Sequence, residues 1–219
     1  YQTFTHNIMK KYIIPSLMLA GILAFTSLHA QQKKNYIALG ASYHHTKTET
    51  STGSFNGSNF LISPAYGHYL NEHFSIGLSV NYQQSKNVKV NDMPTSKYNF
   101  ISFMPFVRYE KALWNSKFSW YTDGQLFGGF GKSNNGEDPT THKKLNDTKI
   151  TQAGLNITPG ILFHFSPSVS GLVNLGPLFN VGYMDNRQKN PEYKDKQTYV
   201  GISKNFGWES FQFGIQFHF

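Results

Sequence analysis

Apolar side chains alternate with polar or small ones along most of this chain. One clear example is a segment whose apolar positions are Phe74, Ile76, Leu78, Val80 and Tyr82. A second example covers the last residues, where the apolar positions are Phe211, Phe213, Ile215, Phe217 and Phe219. A period of two residues indicates a β-strand with one apolar face and one polar face. We find no helical period after residue 31.

Eight segments share this alternation and together predict an all-β chain. Their approximate bounds are 35–46, 59–69, 74–84, 97–109, 117–131, 149–165, 169–183 and 198–219. The last segment is long, so we expect a bulge or kink near Asn205-Phe206-Gly207. Pro64, Pro105 and Pro159 each remove a hydrogen-bond donor from a strand, and we expect bulges to accommodate them.

The predicted connections between these segments alternate in length. The long ones are 47–58, 85–96, 132–148 and 184–197, and the short ones are 70–73, 110–116 and 166–168. Outer-membrane barrels have this asymmetry, with short periplasmic turns and longer extracellular loops. The pattern therefore predicts an eight-stranded antiparallel up-and-down transmembrane β-barrel whose two chain ends lie on the periplasmic side.

The formal net charge is +8, yet the charged residues concentrate in the long connections and leave the strands nearly free of them. A Lys or Arg on the lipid face near the bilayer midplane costs about 2–4 kcal/mol, which accounts for this distribution. A nucleic-acid-binding protein would instead gather its basic residues on one face of the fold. We therefore expect no nucleic-acid partner.

The N-terminal stretch has the three-part pattern of a secretory signal peptide. Met9-Lys10-Lys11 opens a basic region, a largely apolar run covers 12–26, and Leu28-His29-Ala30 supplies a small-residue cleavage site. The run is too short to favour a membrane-spanning helix. The predicted organisation is an upstream extension, a cleaved signal peptide and a barrel domain, over 1–8, 9–30 and 31–219.

Aromatic residues make up 16% of the chain, with 19 Phe and 13 Tyr in a polar overall composition. This combination suits alternating strands with aromatic girdles at two membrane interfaces, and it also suits a soluble all-β sandwich. The chain has no Cys. That excludes disulfides, thiolate metal sites, a Cys nucleophile and a lipoprotein anchor.

Four stretches carry a resemblance to a known family: YLNEHFSIG at 69–77, PFVRY at 105–109, PGI at 159–161 and FGIQFHF at 213–219. They resemble the outer-membrane protein β-barrel domain family, the small barrels related to OmpA and OmpX. The resemblance covers 31–219 and is most specific at the ending. It implies an assembly signal, read by the outer-membrane barrel assembly machinery, at Phe211, Phe213, Ile215, Phe217 and Phe219.

The alternation places polar side chains inside the predicted barrel. The predicted lumen polar network includes Arg108, Asp123, Gln125, Asn156 and Gln212. Arg108 and Asp123 are its main charges, and buried charges need partners. Eight strands leave an interior just wide enough for side chains, so we expect this network to fill the lumen rather than to line a channel.

The remaining candidates for chemistry are weak. The stretch 164–166 (HFS) is similar to the His and Ser of lipid A deacylase barrels, but the topology puts it at a periplasmic turn, and no acid is clearly placed to orient the histidine. His44 and His45 point to opposite faces of a strand, so we do not expect them to share a metal ion. Neither Lys-Ser/Thr nor a helix follows the glycine-rich stretch 124–131, and we expect its glycines to give room to neighbouring side chains. We expect no catalytic, cofactor or metal site.

Together these observations favour a non-enzymatic integral protein in the outer membrane of a Gram-negative bacterium, reached by export to the periplasm. It would serve envelope structure or surface-loop interaction as a monomer, with outer-membrane lipid, lipopolysaccharide and the assembly machinery as partners. One alternative is a narrow OmpW-like channel or carrier for small apolar molecules, and a lipid A-modifying barrel enzyme is another. A soluble lipocalin-like barrel would put the apolar face inside, and the alternation alone does not say which face that is.

Overall fold

The computed structural model describes residues 33–50, 53–90, 96–113, 117–134, 147–188, 193–202 and 210–219. These residues form ten strands: β1 (Asn35–Thr50), β2 (Gly53–Tyr69), β3 (Phe74–Val90), β4 (Ser96–Leu113), β5 (Phe118–Asn134), β6 (Thr148–Ser166), β7 (Val169–Asn174), β8 (Phe179–Gln188), β9 (Tyr193–Ile202) and β10 (Gln212–His218). The described residues contain no α-helix with the length and apolar character that a membrane crossing needs.

The ten strands of the described chain build the eight walls of one antiparallel barrel. Strands β1 to β6 pair in sequence order, and β6 then pairs with β7 along one half and with β8 along the other. Strand β10 pairs with both β7 and β1, which closes the barrel. Each of the last two walls therefore consists of two strands, β7 with β8 and β9 with β10. The predicted all-β antiparallel barrel is confirmed.

The break between β7 and β8 lies at 175–178, where Gly176 has a φ of 82°. That left-handed backbone conformation favours glycine. Strand β9 ends at Ile202 and β10 begins at Gln212. The kink predicted at Asn205-Phe206-Gly207 lies outside the described residues, as do the predicted signal peptide and its cleavage site.

The apolar face of the barrel points outward. On β3, the Phe74 side chain is 41% exposed, whereas its neighbour Ser75 is 1% exposed. The same outward face of β3 carries three further exposed side chains: Ile76, Leu78 and Tyr82. The arrangement is the reverse of a lipocalin-like barrel, which would bury these apolar side chains and present the serines to water.

Three of the four predicted long loops are mostly strand. The upper connections are 51–52, 91–95, 135–147 and 189–192, and only 135–147 is long. The strands continue past their apolar segments as polar hairpins, in which Glu49 pairs with Ser54 and Lys86 with Lys97. Ladder hydrogen bonds join backbone groups, so pairing does not need the apolar alternation that defined the predicted bounds. The turns at 70–73 and 167–168 mark the opposite, lower end.

The prolines do not shift the strand register where bulges were predicted. The β2–β3 register is the same on both sides of Pro64, and the β4–β5 register is the same on both sides of Pro105. The ladder simply skips these positions. Pro159 differs, because β6 changes partner from β7 to β8 beside it. A proline removes one donor, and the strand tolerates this loss without an inserted residue.

Candidate functional site

The lower half of the lumen is filled by a plug, which we define as Tyr36, Phe106, Arg108, Tyr121 and Asp123. All five side chains are buried, and they come from three walls, β1, β4 and β5. Strand alternation aims every second side chain inward, so these positions meet at the barrel axis. The plug lies between the lower end and the upper half of the lumen.

Arg108 and Asp123 form the centre of the plug. They lie directly opposite each other in the β4–β5 ladder. Arg108 Nε donates to Asp123 Oδ1 at 2.7 Å, and Arg108 Nη2 donates to Asp123 Oδ2 at 2.9 Å. This two-bond geometry is the strongest form of an arginine–carboxylate pair. The two charges neutralise each other inside the barrel.

The remaining faces of the Arg108 guanidinium are also occupied. Its Nη1 donates to Gln216 Oε1 at 3.0 Å. The guanidinium carbon lies 4.0 Å from the centroid of the Tyr121 ring, and the Tyr36 and Phe106 rings are 5.5 Å and 5.6 Å away. Aromatic faces attract a cation, which adds to the ion pair. Arg108 is therefore fully engaged by protein groups, as a structural charge should be.

A chain of hydrogen bonds runs from the plug to the lower end. Gln216 Nε2 donates to the Tyr69 hydroxyl at 3.3 Å, and that hydroxyl donates to Glu110 Oε2 at 2.9 Å. Glu110 Oε1 lies 3.8 Å from His164 Nε2. The polar network thus extends beyond the predicted residues. The alternation also predicted an inward Gln216. Sequence reasoning missed Tyr69 and Glu110 as members, although both occupy inward positions of their strands.

His164 lies between two serines rather than in a catalytic triad. Its Nε2 is 2.8 Å from Ser119 Oγ, and its Nδ1 is 2.8 Å from Ser170 Oγ. A triad needs the nucleophile on one ring nitrogen and the orienting acid on the other. Here Glu110 approaches the same nitrogen that faces Ser119, a residue only 3% exposed.

The sequence alone did not show which acid lies near His164. In the structure that acid is Glu110, but its position does not complete a triad. Ser166 Oγ accepts a hydrogen bond from the Ser168 amide at 3.2 Å. The described residues hold no group of three or more His, Cys, Asp or Glu side chains that could bind a metal ion. The arrangement around His164 suits buried hydrogen bonding more than hydrolysis.

A cavity of about 230 Å³ lies above the plug, on the side away from the lower turns. All five residues of the predicted lumen network line it: Arg108, Asp123, Gln125, Asn156 and Gln212. Of these, Arg108 bonds Asp123, while Gln125 accepts a hydrogen bond from Thr158 at 3.3 Å. The structure thus brings the five residues to one cavity, but it places them around that space rather than in one connected chain of bonds.

The residues of the predicted assembly signal follow one face of the last wall. Phe213 and Ile215 on β10 are exposed on the outer surface, and Phe217 is half-buried. Phe211 precedes the first residue of β10. The Phe219 backbone exchanges two hydrogen bonds with Asn35, at 3.0 Å and 2.9 Å. Recognition of this segment by an assembly machinery stays a prediction.

No family model matches the chain, and no curated protein matches it. Among solved structures it is similar to Neisserial surface protein A, with 18% identity, coverage of 84% of this chain and 97% of that one, and a TM-score of 0.42. For a major outer membrane protein from Thermus thermophilus, the identity is 10%, the coverages are 86% and 100%, and the TM-score is 0.48. The chain is also similar to the translocator domain of the autotransporter NalP from Neisseria meningitidis. There the identity is 10%, the alignment covers 98% of each chain, and the TM-score is 0.33. At such values no property of these proteins passes to this chain, and membership of the OmpA and OmpX family stays a prediction.

Proposed function

We propose that this chain is an integral outer-membrane β-barrel protein with a side-chain-filled lumen, serving envelope structure or surface-loop interaction without catalysis. In this proposal a cleaved signal peptide exports it to the periplasm of a Gram-negative bacterium. The assembly machinery then inserts it as a monomer among outer-membrane lipid and lipopolysaccharide. The observation that carries the proposal is the apolar belt, the ring of exposed apolar side chains on the outer surface of the barrel.

The apolar belt is continuous around the described walls. Its members include Ile37 and Leu39 on β1, Tyr66 on β2, Leu78 on β3, Phe103 and Val107 on β4, Leu126 on β5, Ile161 on β6 and Ile215 on β10, all of them exposed. A soluble monomer rarely exposes an apolar patch larger than a few hundred Å². A lipid bilayer covers such a belt, and a closed barrel satisfies the backbone hydrogen bonds that lipid cannot.

Charged residues lie beyond the belt. On β5 the outward positions from Phe118 to Phe130 carry no charge, and the next outward position is Lys132. On β4 the outward lysines are Lys97 near the top and Lys111 near the bottom. Because a Lys or Arg costs about 2–4 kcal/mol at the bilayer midplane and about 0–1 kcal/mol near the interfaces, this placement fits a membrane-spanning belt.

The lumen supports a non-conducting and non-enzymatic role. The five plug side chains are buried, and His164 has buried serines as its partners. A channel would need a continuous opening, and a lipid-modifying enzyme would need a nucleophile within reach of substrate. Both alternatives are therefore less well supported than the structural role.

One observation favours the narrow carrier as a second candidate. Among the described residues, no ladder joins β9 to the upper half of β1, whereas β10 pairs with β1 up to Ala41. A carrier for small apolar molecules could use a lateral opening at such a place. The cavity behind it is lined by polar and apolar groups in about equal measure, however, which suits a wholly apolar cargo poorly.

The apolar belt is tested by placing one charge at two heights on β5. Leu126 and Phe130 point outward and are both 59% exposed. In lipid vesicles, we expect Leu126→Arg to lower the free energy of unfolding by about 2–4 kcal/mol relative to Leu126→Ala. Phe130→Arg should lower it by only about 0–1 kcal/mol relative to Phe130→Ala, because Phe130 lies near the polar rim.

Equal effects of the two arginines would contradict the membrane belt, since water outside a soluble barrel would treat both positions alike. Fractionation of cells expressing the full chain is the companion measurement. We expect the protein in the dense outer-membrane fraction. Recovery in the soluble periplasmic fraction would overturn the proposal.

A further inference from the structure

We propose that the cavity above the plug is a binding site for a small neutral molecule rich in hydroxyl groups, of about the size of one sugar ring. The cavity has a volume of about 230 Å³. Sites for drug-sized ligands occupy about 300–1,000 Å³, so this one takes a smaller molecule. The inference goes beyond the structural role proposed above and does not depend on it, because the cavity belongs to the folded barrel in any surroundings.

The cavity wall is polar but carries no net charge. About half of its lining residues bear a hydroxyl or a carboxamide, among them Asn59, Ser79, Asn81, Asn156 and Asn174. The charged lining residues in the described chain are Arg108 and Asp123, which neutralise each other through two hydrogen bonds. Groups of this kind both donate to and accept from hydroxyls. An ion would find no opposite charge there, so the chemistry selects a neutral ligand.

Two polar atoms of this wall have no hydrogen-bond partner among the described residues: Ser63 Oγ and Gln212 Nε2. Ser63 is only 9% exposed, and both residues line the cavity. Both atoms have almost no accessible surface. Buried polar groups are nearly always paired, so a small movement of either side chain toward the cavity would let a bound molecule supply the missing partner. One is a hydroxyl that donates or accepts, and the other is an amide donor.

The two unpartnered atoms lie on either side of Gly40. Ser63 is the β2 partner of Gly40 in the ladder, and the Gln212 side chain from β10 lies over Gly40. A side chain at position 40 would overlap the Gln212 carboxamide. The absence of a Cβ therefore lets the Gln212 carboxamide pack against Gly40, which places it on the same patch of wall as Ser63.

The floor of the cavity adds an apolar surface. Phe106, Tyr121, Met104 and Leu172 line it below and beside the polar wall. A sugar ring presents hydroxyls at its rim and C–H groups on its faces, so it suits a site with amides on one side and aromatic rings on another. Ordered water is the competing occupant, since the volume would hold about seven molecules at about 30 Å³ each.

The test uses the full chain refolded in a zwitterionic detergent that has no sugar head group. Saturation-transfer NMR is recorded with glucose and N-acetylglucosamine as probes, and with glucose 6-phosphate as a charged comparator. We expect transfer from the barrel to at least one neutral sugar, and at least tenfold weaker apparent binding of the phosphate. Ser63→Leu, which fills part of the cavity, and Gln212→Leu, which removes a carboxamide from its wall, should each weaken binding of the neutral sugar at least tenfold.

Thr122→Leu is the matched control, because Thr122 lies on the outer surface between buried Tyr121 and Asp123 and should leave binding unchanged. Heat-modifiable gel mobility reports whether each variant is folded. If Ser63→Leu does not fold, binding of the neutral sugar is measured with Ser63→Ala and Gln212→Leu instead. Ser63→Ala is expected to bind the sugar several-fold more weakly than the unmodified chain. Absence of transfer to either sugar in the folded protein, or unchanged binding in the folded lumen variants, would overturn the proposal.

Discussion

Arg108 and Asp123 are buried at the centre of the plug. The pair neutralises itself, and Gln216, Tyr36 and Tyr121 occupy the remaining faces of the guanidinium. Removing one partner of a buried ion pair leaves an uncompensated charge, whereas replacing both by apolar groups can be nearly neutral. The plug should therefore lose more stability when one member of the pair is removed than when both are replaced by apolar side chains.

Asp123→Ala is expected to lower the free energy of unfolding by about 3–5 kcal/mol, because Arg108 would remain buried without its counter-charge. The double variant Arg108→Met with Asp123→Leu should recover most of that loss. Urea unfolding in lipid vesicles, followed by tryptophan fluorescence, measures both.

The matched control is Asp185→Ala. It removes the acid of the Arg187–Asp185 pair, whose nitrogen and oxygen are 2.6 Å apart and whose arginine is 61% exposed. Water screens that arginine after the acid is lost, so little change is expected. Two outcomes would show that burial gives the Arg108–Asp123 pair no larger effect on stability than an exposed pair has. One is an equal loss of unfolding free energy in Asp185→Ala and Asp123→Ala. The other is a double variant no more stable than Asp123→Ala.

Neighbouring strands of the barrel fit together through inward aromatic rings that lie over glycines. The Tyr121 ring of β5 covers Gly160 of β6, and the Tyr36 ring of β1 covers Gly67 of β2. The Phe106 ring of β4 covers Gly77 of β3 in the same way. In a narrow barrel each large side chain needs a small one opposite it, so these pairs set how closely the strands pack.

Gly160→Ala should lower the free energy of unfolding by about 1–3 kcal/mol, because the added methyl group would overlap the Tyr121 ring and force it to move. Gly128→Ala is the control on the adjacent strand, since an added Cβ there meets nothing within 4 Å. Unfolding midpoints of the two variants, measured in the same vesicles, give the comparison. Equal losses would mean that the cost comes from the backbone rather than from the ring.

At the scale of the whole molecule, the plug and the lower hydrogen-bond network occupy the lower half of the lumen. Three side chains near the lower ends of their strands are completely buried: Leu162 on β6, Ser170 on β7 and Gln216 on β10. The polar cavity above the plug therefore ends blindly on its lower side. A barrel of this width has no space for both a layer of side chains and a water-filled path.

The reconstituted chain should therefore show no large, stable conductance steps in planar lipid bilayers. The Arg108→Gly, Asp123→Gly double variant removes the two central side chains and should conduct measurably if it folds. Porin-like steps from the unmodified chain would refute the closed lumen. Tyr66→Ala on the outer surface is the control that should remain silent.

The strand alternation was enough to predict the all-β architecture, the approximate strands and the placement of Arg108 and Asp123 on the polar faces of their strands. It was not enough to predict the strand ends, because polar hairpins pair through their backbones without any apolar signal. The glycines show the same limit. Gly129 and Gly131 make room for Phe100 as expected, whereas Gly124 and Gly128 have open space beside them.

The sequence by itself determined a period of two residues, and with it two chemically different faces on each strand. Only the tertiary structure decided which face points outward, because the alternation is the same for a barrel with an apolar interior. Register also required the folded chain. It brings Glu110 to His164 and Gln216 to Arg108 across long separations in sequence. Turn geometry and the contrast between the two strand faces fix register, and a one-residue slip would exchange every inward side chain for an outward one.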